Sequence, residues 1–250
     1  MTEPLTDKRL EADYDELHQK SELRFPVQDY PCFFDWLNVP ADSASLSLID
    51  IACGQGFFLE AAERRVQHMR LVGVDFSRVA LAKADARLTR TRLMRASAYA
   101  LPFPSGSFDY AVNLGSLEHF TDIVGGLTEM GRVLKPSGKG LVIVPNRYYL
   151  GNLWRVYAYG EEDDQGQEGL CQFNTVRGWE RQILAAGLDP VSVRAYNGED
   201  HIAWYFRRRA GEISPSEVMY RDFLETFVKP GIPLNLCQCF AFFVRRQPAL

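Results

Sequence analysis

The chain has 250 residues, of which 46% are hydrophobic and 24% are charged, and its 28 Lys and Arg against 32 Asp and Glu give a net charge of −4. This length can bury a substantial core without metals or disulfides. The composition excludes an intrinsically disordered chain, and the slight acidity argues against a protein built mainly to bind nucleic-acid phosphates.

The apolar segments are too short to span a bilayer, and acids and bases alternate over residues 1–30, where a signal peptide would be apolar. The five cysteines are an odd number and lack the spacing of a zinc site. Cys237 and Cys239 are only a weak metal pair, so we expect no metal. These observations predict a cytoplasmic protein with free thiols and no membrane span.

Strand-like and helix-like segments alternate from residue 46 onward. The predicted strands are Leu46–Ile51, Leu71–Asp75, 92–97, Phe108–Leu114 and Leu141–Pro145. The helices predicted between them run from Phe58 to Met69, from the cap Ser77 to about Leu88, and from Thr121 or Asp122 to a stop at Lys135–Gly138. This alternation predicts an α/β fold with a mostly parallel sheet and helices on both faces.

The second half of the chain is less regular. A helix is predicted over Thr175–Ala186, and strands over Pro190–Tyr196 and Cys237–Arg246. Two long insertions, residues 146–173 and 197–236, separate these elements. Insertions of this length in a compact domain are often lids or binding loops.

Aromatic side chains are concentrated in both insertions, at Tyr148–Tyr159 and at Trp204–Phe206. They either line a flat, apolar pocket or pack the insertions onto the sheet. We favour pocket lining for at least one of the two groups.

The turn between the first strand and the first helix reads Asp50-Ile-Ala-Cys-Gly-Gln-Gly56. In open parallel sheets, ligands bind beyond the carboxyl ends of the strands, and Gly54 and Gly56 allow the backbone to approach a ligand. The turn lacks the third glycine of a dinucleotide fingerprint and the Lys-Ser/Thr of a P-loop. Asp50 would repel a pyrophosphate but suits a ligand with positive charge. Asp75 ends the second strand, where a carboxylate can accept hydrogen bonds from ribose hydroxyls, and Phe76 can lie against a purine.

Six motifs in this order carry a family resemblance: LIDIACGQG at 48–56, VGVDFS at 72–77, AYALPFPSGSFD at 98–109, LEHF at 117–120, RVLKPSG at 132–138 and VPN at 144–146. Together they resemble the class I S-adenosylmethionine-dependent methyltransferases, nearest to the small-molecule branch that includes ubiquinone and menaquinone biosynthetic enzymes. The resemblance covers residues 48–196. It implies a Rossmann-like, seven-stranded, mostly parallel sheet whose last strand is antiparallel.

The resemblance also implies which residues hold S-adenosylmethionine. The methionine part is surrounded by Asp50, Ala52, Gly54 and Gly56 and lies over Asn113 and Leu114; the ribose binds Asp75; the adenine meets Phe76, Ser97 and the backbone near Ala98. The sequence departs from the family pattern at two of these positions. Ala52 replaces the more usual glycine, and Ser97 replaces an Asp that binds the adenine amino group.

The resemblance predicts a single methyltransferase domain over residues 1–250. Residues 1–45 form an N-terminal cap, 46–145 the cofactor-binding core, and 146–173 and 197–236 the substrate-side insertions. In this family, the segment that corresponds to Tyr14–Tyr30 often folds over the cofactor.

The implied reaction transfers a methyl group from S-adenosylmethionine to O or N of a small-molecule acceptor by in-line displacement and releases S-adenosylhomocysteine. Positioning and exclusion of water supply much of the catalysis. His119 and His201 are candidate bases if the acceptor must lose a proton, with a local structural role as the alternative for His119.

A small acceptor, aromatic or amphipathic, is favoured over nucleic acid, because the fourth strand ends in Asn113-Leu-Gly-Ser116 and not in Asn-Pro-Pro-aromatic. Two other functions remain open from the sequence. One is a non-catalytic, S-adenosylmethionine-binding regulatory or scaffold protein, and the other is a nicotinamide-dependent oxidoreductase.

Overall fold

A computed structural model of the protein describes residues 7–20, 25, 27–40, 42–160, 171–196 and 232–248. Its strands are β1 Ser47–Ile51, β2 Arg70–Asp75, β3 Arg92–Arg95, β4 Phe108–Leu114, β5 Leu134–Pro145, β6 Leu188–Tyr196 and β7 Cys239–Arg246. They form one seven-stranded sheet in the order β3-β2-β1-β4-β5-β7-β6. β7 is antiparallel to β5 and β6, and the pairs from β3 to β5 are parallel. The predicted fold class is therefore confirmed.

The helices connect and cover these strands. They are α1 Asp7–Lys20, α2 Tyr30–Trp36, α3 Phe57–Arg65, α4 Arg78–Arg87, α5 Ile123–Val133, α6 Leu150–Tyr159 and α7 Val176–Ala185. Short 3-10 turns lie at Val27–Asp29, Leu117–His119 and Leu234–Leu236. Within the described ranges, no helix is long and apolar enough to cross a bilayer.

Both faces of the sheet are buried because successive strand residues point to opposite sides. Ile49 and Ile51 of β1 belong to the core that includes Trp179 of α7, while Leu48 belongs to the core under α2 and α3. Trp179 is fully buried, and its indole N–H donates to the carbonyl of Pro145 at 2.9 Å. A sheet covered on both sides leaves its carboxyl edge as the place where polar side chains can gather.

Side-chain caps begin three of the helices. The Ser77 hydroxyl accepts a hydrogen bond from the Ala80 N–H at 3.1 Å, the Asp122 carboxylate accepts from Gly125 at 2.8 Å, and the Thr175 hydroxyl accepts from Gly178 at 3.1 Å. Each bond satisfies a backbone donor that has no partner inside the helix. The caps predicted at Ser77 and Asp122 are present.

Several element boundaries differ from the sequence-based expectation, and three of the differences have a clear structural reason. β5 begins at Leu134 instead of Leu141, because extra residues between Leu134 and Lys139 bulge out opposite Phe108 and Tyr110 of β4, and the strand continues through Pro136 and Gly138. α3 ends at Arg65, where Val66 turns to an extended conformation. β7 begins at Cys239 because the Cys237 N–H bonds back to Leu234 and closes a 3-10 turn.

The basic stretch after α4 ends helix α3. The Arg90 guanidinium donates to the backbone carbonyls of Glu63 in the last turn of that helix and of Val66 and Gln67 just beyond it. In return, the Glu63 carboxylate accepts from the N–H groups of Thr89, Arg90 and Thr91. These bonds fix the connection between α4 and β3.

Replacement of Glu63 by Gln tests this connection. Burial alone would raise the Glu63 pKa, but hydrogen bonds from the Arg90 and Thr89 backbone and from both threonine hydroxyls lower it to about 2. Because the folded pKa lies below the unfolded one, this stabilisation is present above the unfolded pKa and is lost as the pH falls toward 2. We expect Glu63→Gln to reduce the free energy of unfolding by about 1–2 kcal/mol at pH 7.

Urea unfolding between pH 3 and pH 7 measures this effect, and the difference from wild type should shrink toward pH 3. Glu180→Gln is the matched control, since Glu180 forms a surface pair with Arg177 and surface pairs contribute about 0–1 kcal/mol. A Glu63→Gln difference that stays constant over this pH range contradicts the assignment.

Candidate active site

The loop after β1 is built from three residues in the left-handed conformation. The φ angles are 60° at Ala52, 52° at Gly54 and 79° at Gly56. Ala52 thus adopts the backbone that a glycine would adopt, at a cost of about 1–2 kcal/mol. At Gly56, a Cβ atom would lie 2.9 Å from Leu88 Cδ1 and 3.1 Å from Ala84 Cβ, so only glycine fits where α3 starts against α4.

Asp75 joins this loop to the loop after β2. One carboxylate oxygen accepts from the Gly54 N–H at 2.8 Å, and the other accepts from the Ser77 N–H at 2.9 Å. Burial raises the Asp75 pKa to about 6, although the backbone donors Ser77 and Gly54 oppose that rise. Asp75 therefore fixes the loop while presenting a buried carboxyl group at the end of β2.

Asp50 is a buried acid inside β1, only 3% exposed. Among the described residues, no hydrogen bond or ion pair involves its carboxyl group. Burial, and secondarily the negative charge of Asp75, raise the Asp50 pKa well above its ordinary value. A buried carboxyl group without a partner is unfavourable in the folded chain and favours a ligand with positive charge or hydrogen-bond donors.

Helix α1 closes over these loops. The Asp15 carboxylate accepts from the Ser77 hydroxyl at 2.5 Å and from the Val79 N–H at 3.3 Å, and Lys83 donates to the His18 carbonyl at 2.5 Å. His18 is buried, with Nδ1 3.3 Å from the Gln55 side-chain nitrogen. The Gly54 Cα lies under the His18 ring, because a Cβ built there would be 3.7 Å from His18 Cε1.

Tyr14 of α1 connects the ends of β2 and β4. Its ring meets Phe76 edge-on at a centroid distance of 5.3 Å and His119 edge-on at 6.1 Å. Burial, followed by the charge of Glu118, raises the Tyr14 pKa well above its ordinary value. Tyr14 is therefore a neutral phenol inside the site, and it was not among the site residues predicted from the sequence.

The segment after β4 has three buried polar atoms without a hydrogen-bond partner among the described residues: Asn113 Oδ1, Ser116 Oγ and Glu118 Oε2. The Asn113 amide nitrogen donates to the Ile51 carbonyl at 3.0 Å, which fixes the amide and leaves its oxygen as an acceptor. Each atom of this kind costs about 1–3 kcal/mol when it stays unpaired. Their grouping next to Asp50 indicates a ligand rich in donors.

Glu118 is a site residue that the sequence prediction missed. It lies in the 3-10 turn Leu117–His119, is 8% exposed, and burial raises its pKa to about 7. His119, the predicted base, has Nε2 4.0 Å from Glu118 Oε1. The signal in the sequence was the acid between Leu117 and Phe120, but no local pattern reveals whether such an acid is buried.

The other predicted site residues fall at the same edge of the sheet or outside the described residues. Ser97 and Ala98 follow β3, where the Ser97 hydroxyl is exposed and accepts from the Tyr99 N–H at 3.2 Å. Leu114 ends β4. His201 and Trp204–Phe206 lie outside the described residues.

The first aromatic group is only partly described. Tyr148 and Tyr157 are 47% and 83% exposed, and the side chains of Trp154 and Tyr159 lie outside the described residues. The two tyrosines are therefore exposed, and pocket lining by the aromatic groups stays a prediction.

Comparison with known proteins agrees with this arrangement. A family model described as a methyltransferase domain matches residues 49–142, which contain Asp50, Asp75, Asn113 and Glu118. Over these residues the chain is similar to methyltransferase domains. The match spans the strands β1 to β4 and the first part of β5.

Individual members of the methyltransferase family are similar over different lengths. A demethylmenaquinone methyltransferase of Thermus thermophilus is 33% identical over 128 residues, 48% of this chain and 58% of that protein. One from Oceanobacillus iheyensis is 28% identical over 184 residues, 65% of this chain and 76% of that protein. The chain thus spans a little over half of the Thermus protein.

Among solved structures, a chain in the complex between the Haloferax volcanii Trm112 methyltransferase activator and a methyltransferase aligns with a TM-score of 0.67 at 17% identity. The alignment covers 97% of this chain and 98% of that chain. At this level of identity, the similarity establishes the fold.

The residues of the site fit S-adenosylmethionine. S-adenosylmethionine is a cation with ammonium and ribose hydroxyl donors. Asp50 is buried, Asn113 Oδ1 has no hydrogen-bond partner among the described residues, and Asp75 retains acceptor capacity beyond its two backbone bonds. The donor set of the ligand and the acceptor set of the site are complementary.

Gly56→Ala tests the loop geometry. The added Cβ lowers the stability of the fold in two ways, because it strains the left-handed backbone and overlaps with Leu88 and Ala84. Gly106→Ala is the matched control, because Gly106 has φ of 70° and no atom within 4 Å of an added Cβ. We expect Gly106→Ala to lose about 1–2 kcal/mol and Gly56→Ala to lose about 1–3 kcal/mol more, measured by urea unfolding. Equal losses contradict the proposed overlap.

Proposed function

We propose that the protein is an S-adenosylmethionine-dependent methyltransferase that acts on a small molecule with a hydroxylated aromatic ring. The observation that carries this proposal is the pair of buried carboxyl groups, Asp50 and Asp75, at the ends of β1 and β2. They flank a left-handed loop and lack a cationic partner among the described residues. A cationic, ribose-bearing cofactor supplies the positive charge and the hydrogen-bond donors that these two carboxyl groups can bind.

Each residue has a separate task in holding the cofactor. Asp50 and Asn113 Oδ1 bind the ammonium end, Ala52, Gly54 and Gly56 let the backbone approach the methionine part, and Leu114 borders it. The ribose binds Asp75, and the adenine contacts Phe76, Ser97 and Ala98. When bound, the cofactor supplies a methyl group made electrophilic by its positively charged sulfur.

The chain itself aligns the reactants and excludes water. Helix α1 covers the loops through Tyr14 and His18, and the Asp15 and Lys83 contacts fasten it to α4. Alignment of two reactants can contribute about 7–11 kcal/mol in favourable cases. The buried side chains after β4 face the acceptor side of this arrangement.

The acceptor class is supported by the relatives. Two of them are named demethylmenaquinone methyltransferases, and the reduced form of such a quinone is an aromatic diol. A diol also supplies the donors that Ser116 Oγ and Glu118 Oε2 lack. We therefore favour methylation at oxygen or at ring carbon over methylation at nitrogen.

The cysteines support a reducing compartment. All five are free thiols, and the Cys237 thiol donates to the Cys239 carbonyl at 3.0 Å. No group of three or more potential metal ligands occurs in the described ranges. We propose the cytoplasm as the location, where thiols remain reduced.

Transfer of labelled methyl tests the activity. The protein is incubated under anaerobic, reducing conditions with methyl-labelled S-adenosylmethionine and 1,4-naphthoquinol, and the products are identified by mass spectrometry. We expect one added methyl group on the naphthoquinol. Cofactor binding without transfer to naphthoquinol, or to any component of a metabolite extract, supports the non-catalytic binding protein instead.

Asp50→Asn tests the cofactor site. Binding a cation favours the ionised forms of Asp50 and Asp75, whose pKa values are raised in the free protein. Binding should therefore release protons, and affinity for S-adenosylmethionine should rise from pH 5 to pH 8. We expect Asp50→Asn to weaken binding at least about tenfold at pH 7.5 and to release fewer protons, measured by calorimetry in two buffers.

The matched control is Asp35→Asn, because Asp35 is an exposed acid paired with Arg65. It should bind the cofactor as the wild type does. Unchanged affinity in Asp50→Asn removes Asp50 from the cofactor site.

A further inference from the structure

The contacts of Glu118 give it no structural task. Its side chain is 10% exposed, and Oε2 has no hydrogen-bond partner among the described residues. The residue is held in place by its backbone, since its carbonyl accepts from the Gln172 N–H at 2.8 Å. A buried, unpaired carboxyl oxygen opposes folding, so its presence indicates a role toward a ligand.

The groups around Glu118 come from four parts of the fold. Burial, and then the charge of Glu118, raise the pKa of Tyr14 of α1, of Cys171 ahead of α7 and of Cys239 of β7. His119 Nε2 lies 4.0 Å from Oε1. Three of these four groups are neutral at pH 7, and burial keeps the Glu118 pKa near 7, where a carboxyl group can both accept and release a proton.

Building on the proposed function, we propose that Glu118 is a catalytic residue whose Oε2 binds the hydroxyl of the acceptor and takes its proton during methyl transfer. The acceptor O–H bond breaks and its proton moves to Oε2. The electron pair of the acceptor, on oxygen or on the conjugated ring carbon, forms the bond to the methyl carbon. The bond from sulfur to that carbon breaks, and its electron pair remains on sulfur as S-adenosylhomocysteine. After carbon attack, the ring carbon loses its hydrogen as a proton to water and the ring regains its aromaticity.

His119 then acts as a positioning residue. Its Nε2 faces Oε1, the other oxygen of the same carboxyl group, and its ring contacts Tyr14. Oε1 is thus the carboxyl oxygen that lies 4.0 Å from the imidazole. Our proposal assigns the role of base to Glu118, whereas the sequence pointed to its neighbour His119.

Binding of 1-naphthol, a phenol that carries one hydroxyl, tests the assignment without turnover. Calorimetry on the protein saturated with S-adenosylhomocysteine measures its affinity from pH 6 to pH 8. Because the ionised carboxylate is the better acceptor, affinity in the wild type should rise about tenfold as Glu118 ionises around pH 7. Glu118→Gln should bind more weakly at pH 8 and show less than a twofold change with pH.

Single-turnover methyl transfer to 1,4-naphthoquinol provides the catalytic readout. Glu118→Gln should lose about 10²–10⁴-fold in rate with S-adenosylmethionine affinity within twofold of wild type. Glu180→Gln, the matched control, should retain the wild-type rate. His119→Gln should lose less than about tenfold and keep the pH dependence that Glu118 imposes, as expected of a positioning residue.

Glu118→Met has no carboxyl group and a similar volume. It should give the same flat binding profile if Glu118→Gln folds poorly. If naphthol affinity still rises with pH in either variant, the role of Glu118 is overturned and the methyltransferase proposal is unaffected. If naphthol binds with the expected pH dependence but no methyl is transferred, the proposed function fails and the Glu118 assignment as an acceptor-binding residue stands. If the wild type binds S-adenosylhomocysteine but not naphthol, the aromatic-hydroxyl acceptor and the Glu118 role are both overturned.

Discussion

Three carboxyl groups buried at one edge of the sheet constrain the rest of this structure. Asp50, Asp75 and Glu118 lie at or just beyond the ends of β1, β2 and β4, and burial raises the pKa of each. In the described ranges, none of them pairs with Lys or Arg. Such an arrangement opposes folding and survives because the sheet is covered on both faces and stabilised elsewhere. The same arrangement makes the edge selective for a cation with hydrogen-bond donors.

The N-terminal helix and the glycine loop keep these acids away from water. Asp15 and Lys83 fasten α1 to α4 by polar contacts, whereas Tyr14 and His18 supply the apolar contacts over the site. Asp75 both stabilises the loop and is available to a ligand, because its carboxylate accepts a hydrogen bond from the Gly54 N–H and can accept further bonds. Stability and binding therefore depend on the same few atoms, so that changes at Asp75 affect the loop and the ligand together.

The sequence predicted the parts that depend on local pattern and failed where distant segments meet. The apolar composition of residues 72–75 is enough to predict a buried strand. The cap at Ser77 is predictable because a cap depends only on the helix that follows it. β5 was predicted too short, since Pro136 and Gly138 indicate a turn unless it is known that they form a bulge opposite β4. Tyr14 and Glu118 are brought together across about a hundred residues of chain, and neither shows in its neighbours that it will be buried. The family resemblance named Asp50 and Asp75, but the missing partners of Glu118 become visible only in three dimensions.

The position of β7 has a consequence for how the chain folds. It is the last strand in the sequence, yet it lies between β5 and β6, and Phe240 and Phe242 are fully buried. During synthesis, β5 keeps an open edge and β6 has no strand partner until residues 239–246 have left the ribosome. Pairing over so long a sequence separation is slow, and an open apolar edge invites association with other chains. Because the charge of Glu118 acts on Cys239 of this strand, after burial, to raise the Cys239 pKa, the surroundings of that acid are complete only when β7 has paired with β5 and β6.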